Sequence, residues 1–232
     1  MENRGVGEMT HRTKSILSRI FRYGVSCSYI ERDITVDLKG ALKPIKKQHH
    51  AAITEPEKVG QLLRAIYDYD GSFVVKCALK LAPLFFVRPG ELRYAEWSEF
   101  DFKNALWTIP AEKMKMNESH IVPLSTQALG ILRELQPATE RSKYLFPSHR
   151  SNARPLSNNA INAALRRMGF GKDEMTGHGF RALARTLLDE VLEFRIDFVE
   201  HQLAHTVKDP LGRAYNRTTH LKQRRKMMQA WS

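Results

Sequence analysis

Apolar residues recur at helical spacing over most of this chain. The first such stretch runs from Thr10 to Tyr23. Further along, Thr54 and Glu57 have the form of a capping box, and one apolar face of a helix follows them. The same periodicity predicts further helices over residues 73–87, 126–135, 158–168, 179–191, 196–204 and 221–231.

Short strand-like stretches interrupt the helices in the middle of the chain. They cover residues 97–102, 106–109 and 120–124, and a polar, lysine-bearing turn joins the last two. Such neighbouring strands pair most simply as an antiparallel sheet. The pattern therefore predicts a mainly α fold with one small antiparallel β-sheet, an α+β class.

A basic segment from Lys39 to His50 separates two parts of the chain. It contains Gly40 and Pro44, and its composition is typical of a linker, although its lysines could equally lie along DNA. We therefore divide the chain into residues 1–44, a basic linker over 45–53, and a main domain over 54–232.

Positive charge is in clear excess. The sequence holds 37 Lys and Arg against 25 Asp and Glu, a formal net charge of +12. This balance favours an anionic partner such as nucleic acid, with an anionic membrane surface or a simple role in solubility as the alternatives. The longest apolar run, Cys77 to Val87, is broken by Lys80 and Pro83, so no membrane span is predicted. Cys27 and Cys77 form no paired motif, which indicates a reducing, cytoplasmic compartment.

Two local motifs could carry chemistry. Arg88, in Val-Arg-Pro-Gly-Glu-Leu, stands three residues before Glu91 and can pair with it, either as a structural ion pair or as part of a site. His178 and Arg181, in His-Gly-Phe-Arg, share one face of a helix. Together they could bind one phosphate, with Arg as a planar fork of donors and His as a proton site. Each motif is common, and a surface pair is the simpler interpretation of His178 and Arg181 taken singly.

Two further motifs stand near the C-terminus. His201 and His205 have the spacing of a zinc-binding helix, but Gln202 occupies the position where a metalloprotease needs Glu. Tyr215 follows ten residues later, with Arg213 and Arg217 around it. Neighbouring cations favour the ionised phenol, which is the nucleophilic form, although a packing role would also suit this tyrosine.

Taken together, these motifs resemble the tyrosine recombinase (phage integrase) family, most closely integrases of prophages and genomic islands. The resemblance extends from about Ile53 to the end of the chain. In that family a hairpin lysine stands eight residues before the proline of the returning strand, and counting back from Pro123 gives Lys115, with Lys113 as the nearby competitor. The matching stretches are Val-Arg-Pro-Gly-Glu-Leu, Lys-Met-Asn-Glu-Ser-His-Ile-Val-Pro-Leu, Gly-His-Gly-Phe-Arg-Ala, Gln-Leu-Ala-His and Ala-Tyr-Asn-Arg.

The resemblance implies a mechanism without metal or cofactor. Tyr215 would attack a DNA phosphate and form a 3′-phosphotyrosine, releasing a free 5′-hydroxyl. Lys115 would protonate the leaving oxygen, and His178 would help to take the tyrosine proton. The remaining residues would bind the phosphate or support its ligands: Arg88, Arg181 and His205 would hold the non-bridging oxygens, and Glu91 would orient Arg88.

It also implies an assembly. The partners would be double-stranded DNA at attachment sites and further copies of the chain, forming a recombination tetramer that integrates or excises a mobile element at the cytoplasmic nucleoid. Residues 1–44 would be the last part of a helical core-binding domain, and residues 54–232 the catalytic domain. The basic helix with Met227, Met228 and Trp231 would dock on a neighbouring protomer or pack on its own domain.

Two other interpretations remain open at this point. Because the chain is short for the family, it could be a non-catalytic, DNA-binding remnant of an integrase. A type IB topoisomerase shares much of the same set of residues. Relaxation of supercoiled DNA without a target site would favour the topoisomerase, and DNA binding without a covalent adduct would favour the remnant.

Overall fold

The computed structural model describes residues 7–44, 50–205 and 220–232. The chain separates into two compact units, Met1–His49 and His50–Ser232. In the first unit, helix α1 (Gly7–Ser26) contains the stretch predicted from Thr10, and a 3₁₀ helix follows over Ile34–Leu38. The division into residues 1–44, 45–53 and 54–232 stays a prediction.

The second unit is mostly helical, as its apolar periodicity predicts. Its first helices lead into a small sheet, and further helices follow the sheet. They are α2 (Pro56–Asp68), α3 (Phe73–Phe85), α4 (Pro89–Arg93), α5 (Thr126–Thr139), α6 (Ala160–Arg167), α7 (Gly179–Glu190), α8 (Ile196–Gln202) and α9 (Leu221–Trp231).

Two antiparallel sheets lie in the second unit. The three-stranded sheet has the order β1 (Phe100–Asp101), β2 (Leu106–Ile109) and β3 (His120–Pro123). In its register, Trp107 faces Val122. A separate hairpin pairs β4 (Pro147–Ser148) with β5 (Ser151–Pro155).

Helix α3 lies at the centre of the core. It packs against α2, α5, α6 and α7, and it is apolar on most sides, as a helix surrounded by others must be. Phe85 at its end contacts Trp107 of β2, with ring centroids 5.2 Å apart. α3 therefore joins the helical layer to the sheet, and Arg88, the N-cap residue of α4, follows shortly after its C-terminus.

The C-terminal helix α9 packs on its own domain. Met227 and Met228 are buried, and α9 contacts β3 and α8. The Trp231 indole nitrogen donates a hydrogen bond to the Pro83 carbonyl at 2.8 Å. Arg224 is also buried, and its guanidinium donates to the Gln202 side-chain oxygen at 2.6 Å.

Several sequence-based details were wrong. Thr54 does not cap α2: the helix starts at Pro56 with Glu55 as its N-cap residue, because proline suits the first helical turn. The strand expected from Trp97 starts at Phe100, since residues 97–99 form a 3₁₀ helix. The β4–β5 hairpin has no alternating apolar pattern and was missed. No helix in the described ranges combines the length and the apolar character needed to cross a membrane.

Candidate active site

Arg181 lies at the centre of a buried polar cluster. It projects from the first turn of α7 and is 5% exposed. Its guanidinium donates to the carbonyl oxygens of Phe86 at 2.9 Å and Leu203 at 2.7 Å. Both carbonyls stand at helix C-termini, where intrahelical donors are missing. Burial, and then the charge of Arg88, lower the pKa of Arg181 to about 10, so it remains a cation at neutral pH.

Arg88 is held beside this cluster by Glu91. Glu91 accepts two hydrogen bonds from Arg88, the N-cap residue of α4: the Arg88 backbone N–H donates to Glu91 Oε2 at 2.8 Å, and Arg88 Nη1 donates to Oε1 at 2.7 Å. The predicted ion pair is therefore present. Glu91 is buried, whereas the Arg88 side chain keeps 23% of its surface exposed. A longer contact of 3.4 Å runs from Arg88 Nη2 to the Ala204 carbonyl. The guanidinium is thus fixed in orientation but accessible to a ligand.

His205 joins the cluster from the end of α8. Arg181 Nη2 lies 3.1 Å from His205 Nε2, and His205 Nδ1 lies 2.5 Å from Glu200 Oε2. Because a guanidinium can only donate, Nε2 accepts and the Nδ1 proton points to Glu200. Burial opposes ionisation of Glu200, but hydrogen bonds from His205 and Arg185 outweigh it and lower the pKa of its carboxyl group. Glu200 therefore fixes the tautomer and the ring orientation.

His178 occupies the N-cap position of α7. Its ring lies beside that of His50, with centroids 4.2 Å apart. Burial, then the neighbouring His50 and the charges of Arg181 and Arg88, lower the pKa of His178 to about 4. At neutral pH this imidazole is uncharged, so it has a ring nitrogen able to accept a proton.

Lys115 stands at an open cleft of about 530 Å³ that Arg88 also lines. It is exposed at the tip of the β2–β3 connection. The competitor Lys113 lines the same cleft, but its ammonium group is already occupied by ion pairs with Glu96, at 2.6 Å, and with Glu99. Within residues 7–44, 50–205 and 220–232, no ion pair involves Lys115.

The structure thus brings several of the predicted site residues together. Arg88, Glu91, Arg181 and His205 form one cluster, with His178 and Lys115 at its sides. Tyr215 lies outside the described residues.

Glu200 and its partner Arg185 were missed by sequence reasoning. The available signal was an acidic residue five positions before His205, but only the turn at the end of α8 brings the two together. The zinc interpretation also finds no geometric support, because His201 faces His220, with centroids 5.3 Å apart, while His205 faces Glu200. In the part of the chain that the structure describes, no group of three or more His, Cys, Asp or Glu side chains could hold a metal ion.

Comparison with known proteins identifies the family to which the chain belongs. The model of the phage integrase family matches residues 53–221, so the chain belongs to that family. The integrase of Enterobacteria phage P4 is 38% identical over 98% of this chain and 55% of that protein. The chain spans about half the length of curated relatives that it matches.

Solved structures share the fold. A lambda integrase dimer bound to a COC′ core site matches 93% of this chain and 63% of that one, with a TM-score of 0.64 and 20% identity. A lambda integrase tetramer bound to a Holliday junction matches 84% of this chain and 57% of that one, with a TM-score of 0.60 and 21% identity. The α+β architecture is therefore confirmed as that of an integrase catalytic domain.

Proposed function

We propose that this chain cleaves and rejoins DNA as a site-specific tyrosine recombinase, through a 3′-phosphotyrosine on Tyr215. The observation that carries this proposal is the joint placement of Arg88, Arg181 and His205. Arg181 Nη2 contacts the His205 ring, Arg88 Nη2 contacts the carbonyl of the adjacent Ala204, and Arg88 lines an open cleft. Buried cations without a full complement of carboxylates attract an anion, and a DNA phosphodiester carries the matching charge.

The cluster supports a preorganised transition-state site. Arg181 is anchored to two protein carbonyls and His205 to Glu200, so the Arg181 guanidinium needs little reorganisation when a phosphate enters. His205 Nε2 accepts from Arg181 in the free protein, so it donates to a phosphate oxygen only when both ring nitrogens carry a proton. Charge develops on the non-bridging oxygens as the Tyr215 oxygen attacks phosphorus. Donors fixed in this way stabilise that charge, and removal of one typically costs about 3–4 kcal/mol in the barrier.

Two proton transfers complete the step. The bond from phosphorus to the 5′-oxygen breaks as the bond to the Tyr215 oxygen forms, and Lys115 gives a proton to the departing oxygen. His178, whose ring is uncharged at neutral pH, accepts the proton of the tyrosine hydroxyl. Attack by a 5′-hydroxyl of another strand reverses these steps and joins new partners.

The partners follow from the same proposal. Duplex DNA at attachment sites is the substrate, and four copies of the chain assemble on it, as lambda integrase does on a Holliday junction. The site of action is then the nucleoid in the cytoplasm, where a prophage or another mobile element is integrated or excised.

Covalent capture tests the proposal. The protein is incubated with a library of random-sequence duplexes nicked near the centre, so that cleavage releases a short fragment and traps the adduct. Adducts that survive denaturation are sequenced to find the cleaved site. We expect covalent complexes enriched in one sequence. A protein that shifts duplexes in native gels but yields no adduct would be the non-catalytic remnant, and relaxation of any supercoiled plasmid would indicate a topoisomerase.

Loss of Lys115 should be rescued by changing the leaving group. We expect Lys115→Ala to slow cleavage of normal DNA by about 100-fold or more, the usual contribution of a general acid. A substrate with sulfur at the 5′-bridging position should be cleaved at nearly the wild-type rate, because a thiolate leaves without a proton. Single-turnover cleavage of both substrates measures this. Equal defects on the two would assign Lys115 to phosphate binding.

DNA affinity should depend steeply on salt. The net charge of +12 supplies contacts to backbone phosphates, and each contact releases counterions. Between about 50 and 200 mM salt we expect the affinity for a duplex to fall by about 10³-fold or more. Gel shifts with the selected site and with a scrambled duplex across this series give the slope. A flat profile would show that phosphate contacts contribute little.

A further inference from the structure

The β2–β3 connection, which carries Lys115, is tied to the rest of the domain through Lys113. The three donors of the Lys113 ammonium group are all used: they meet Glu96 Oε1 at 2.6 Å, Glu99 Oε1, and the Tyr94 carbonyl at 2.9 Å. The side chains of Lys113, Glu96 and Glu99 are 19%, 15% and 8% exposed, so these contacts are shielded from solvent.

The carboxylates on the other side of this contact are themselves fixed. Glu99 Oε2 accepts hydrogen bonds from the Trp107 indole at 2.9 Å and from the Glu96 backbone N–H at 3.2 Å. Trp107 is fully buried in the core. Tyr94 is the C-cap residue of α4, the helix that contains Glu91 and has Arg88 as its N-cap residue. Lys113 therefore links the connection both to the core and to the element that orients Arg88.

Lys113 is poorly suited to donate a proton. Burial disfavours its charged form, but the hydrogen bonds to Glu96 and Glu99 outweigh burial and raise the pKa of Lys113. All three of its N–H groups already have acceptors. Lys115, only two residues further on, lies within at most about 7 Å along the backbone. Met114 between them is buried, whereas Lys115 is exposed at the cleft.

We infer that Lys113 is a positioning residue that holds Lys115 at the reacting phosphate by anchoring the β2–β3 connection to Glu96, Glu99 and the Tyr94 carbonyl. This inference rests on the proposed function. Displacement of a reacting group by about 1 Å can cost about 100-fold in rate, so a loosened connection would impair proton donation in particular. A purely structural ion pair would instead affect every step of the reaction alike.

The experiment compares Lys113→Met with Lys115→Ala on normal DNA and on DNA with 5′-bridging sulfur, using the captured site. We expect Lys113→Met to slow cleavage of normal DNA by about 10- to 100-fold and of the sulfur substrate by no more than about 3-fold. Lys113→Arg, which keeps a cation for the carboxylates, should restore most of the rate on normal DNA. Lys143→Met is the matched control, because Lys143 contacts Glu96 from the outside at 3.3 Å and its side chain is 65% exposed.

The outcomes distinguish a failure of the positioning role of Lys113 from a failure of the proposed function. If Lys113→Met is slowed equally on both substrates, or on neither, while Lys115→Ala is rescued by sulfur, the positioning role is wrong and the proposed function stands. If Lys115→Ala itself is not rescued, the general acid has been misassigned. Should Lys113→Met fail to fold, the double variant Glu96→Gln with Lys113→Met removes one of the two carboxylates that lose Lys113 and leaves Glu99 its two N–H donors. The same selective defect is expected of that variant, and an equal defect would again overturn the inference.

Discussion

Tyr215→Phe should abolish the covalent DNA adduct while leaving noncovalent affinity for DNA nearly unchanged. The substitution keeps the aromatic ring and removes the single oxygen that the proposed mechanism uses as nucleophile. In the proposed mechanism the donors around Arg181 bind phosphate oxygens and do not attack phosphorus, so they do not take over this role. Denaturing gels of the captured substrate measure the adduct, and native gels measure the affinity.

The matched control is Tyr67→Phe. Tyr67 lies on α2, and 54% of its surface is exposed, so the same atom is lost at a site unconnected with the cluster. We expect the control to form adduct at the wild-type rate. Persistence of the adduct in Tyr215→Phe would remove Tyr215 from the mechanism.

Arg181→Ala should give the second large effect. We expect cleavage to slow by at least about 100-fold, because a preorganised charged donor to the reacting phosphate is lost. The carbonyls of Phe86 and Leu203 also lose their donors, so the free energy of unfolding should fall by about 1–3 kcal/mol.

Arg88→Ala should slow cleavage by a similar factor, while Glu91→Ala should act through lost orientation of Arg88 and some loss of stability.

Single-turnover cleavage at a temperature where circular dichroism shows each variant folded separates chemistry from stability. Arg133→Ala is the control for charge, since Arg133 is exposed on α5. Its rate should match that of the wild type. If Arg88→Ala cleaves at the control rate, the pair with Glu91 is a structural ion pair; the same result for Arg181→Ala would place the phosphate elsewhere.

Local patterns predicted those features that depend on residues close in sequence. The Arg88–Glu91 pair is present because a spacing of three places both side chains on one turn. The long helices and strands β2 and β3 also follow from their periodicity. At the start of α2, however, two local signals compete, and Pro56 rather than Thr54 determines where the helix begins.

Features that depend on distant contacts could not be predicted in this way. The sequence leaves Lys113 and Lys115 as competitors, and only the folded position of Glu96 and Glu99 shows that Lys113 is already paired. The carbonyls that anchor Arg181 are contributed by two other helices, one of them 95 residues away in sequence. The β4–β5 hairpin contains mostly polar residues, so pairing rather than amphipathicity defines it.

The most direct test of the central claim is to identify the bond between protein and DNA in the trapped complex. Mass spectrometry of the nuclease-treated, proteolysed adduct locates the modified residue, and labelling of the released strand shows whether its 5′ end is a hydroxyl. We expect a nucleotide 3′-phosphate linked to Tyr215 and a free 5′-hydroxyl. Attachment at another residue, a 5′-phosphotyrosine, or cleavage that leaves no protein on the DNA would contradict the central claim.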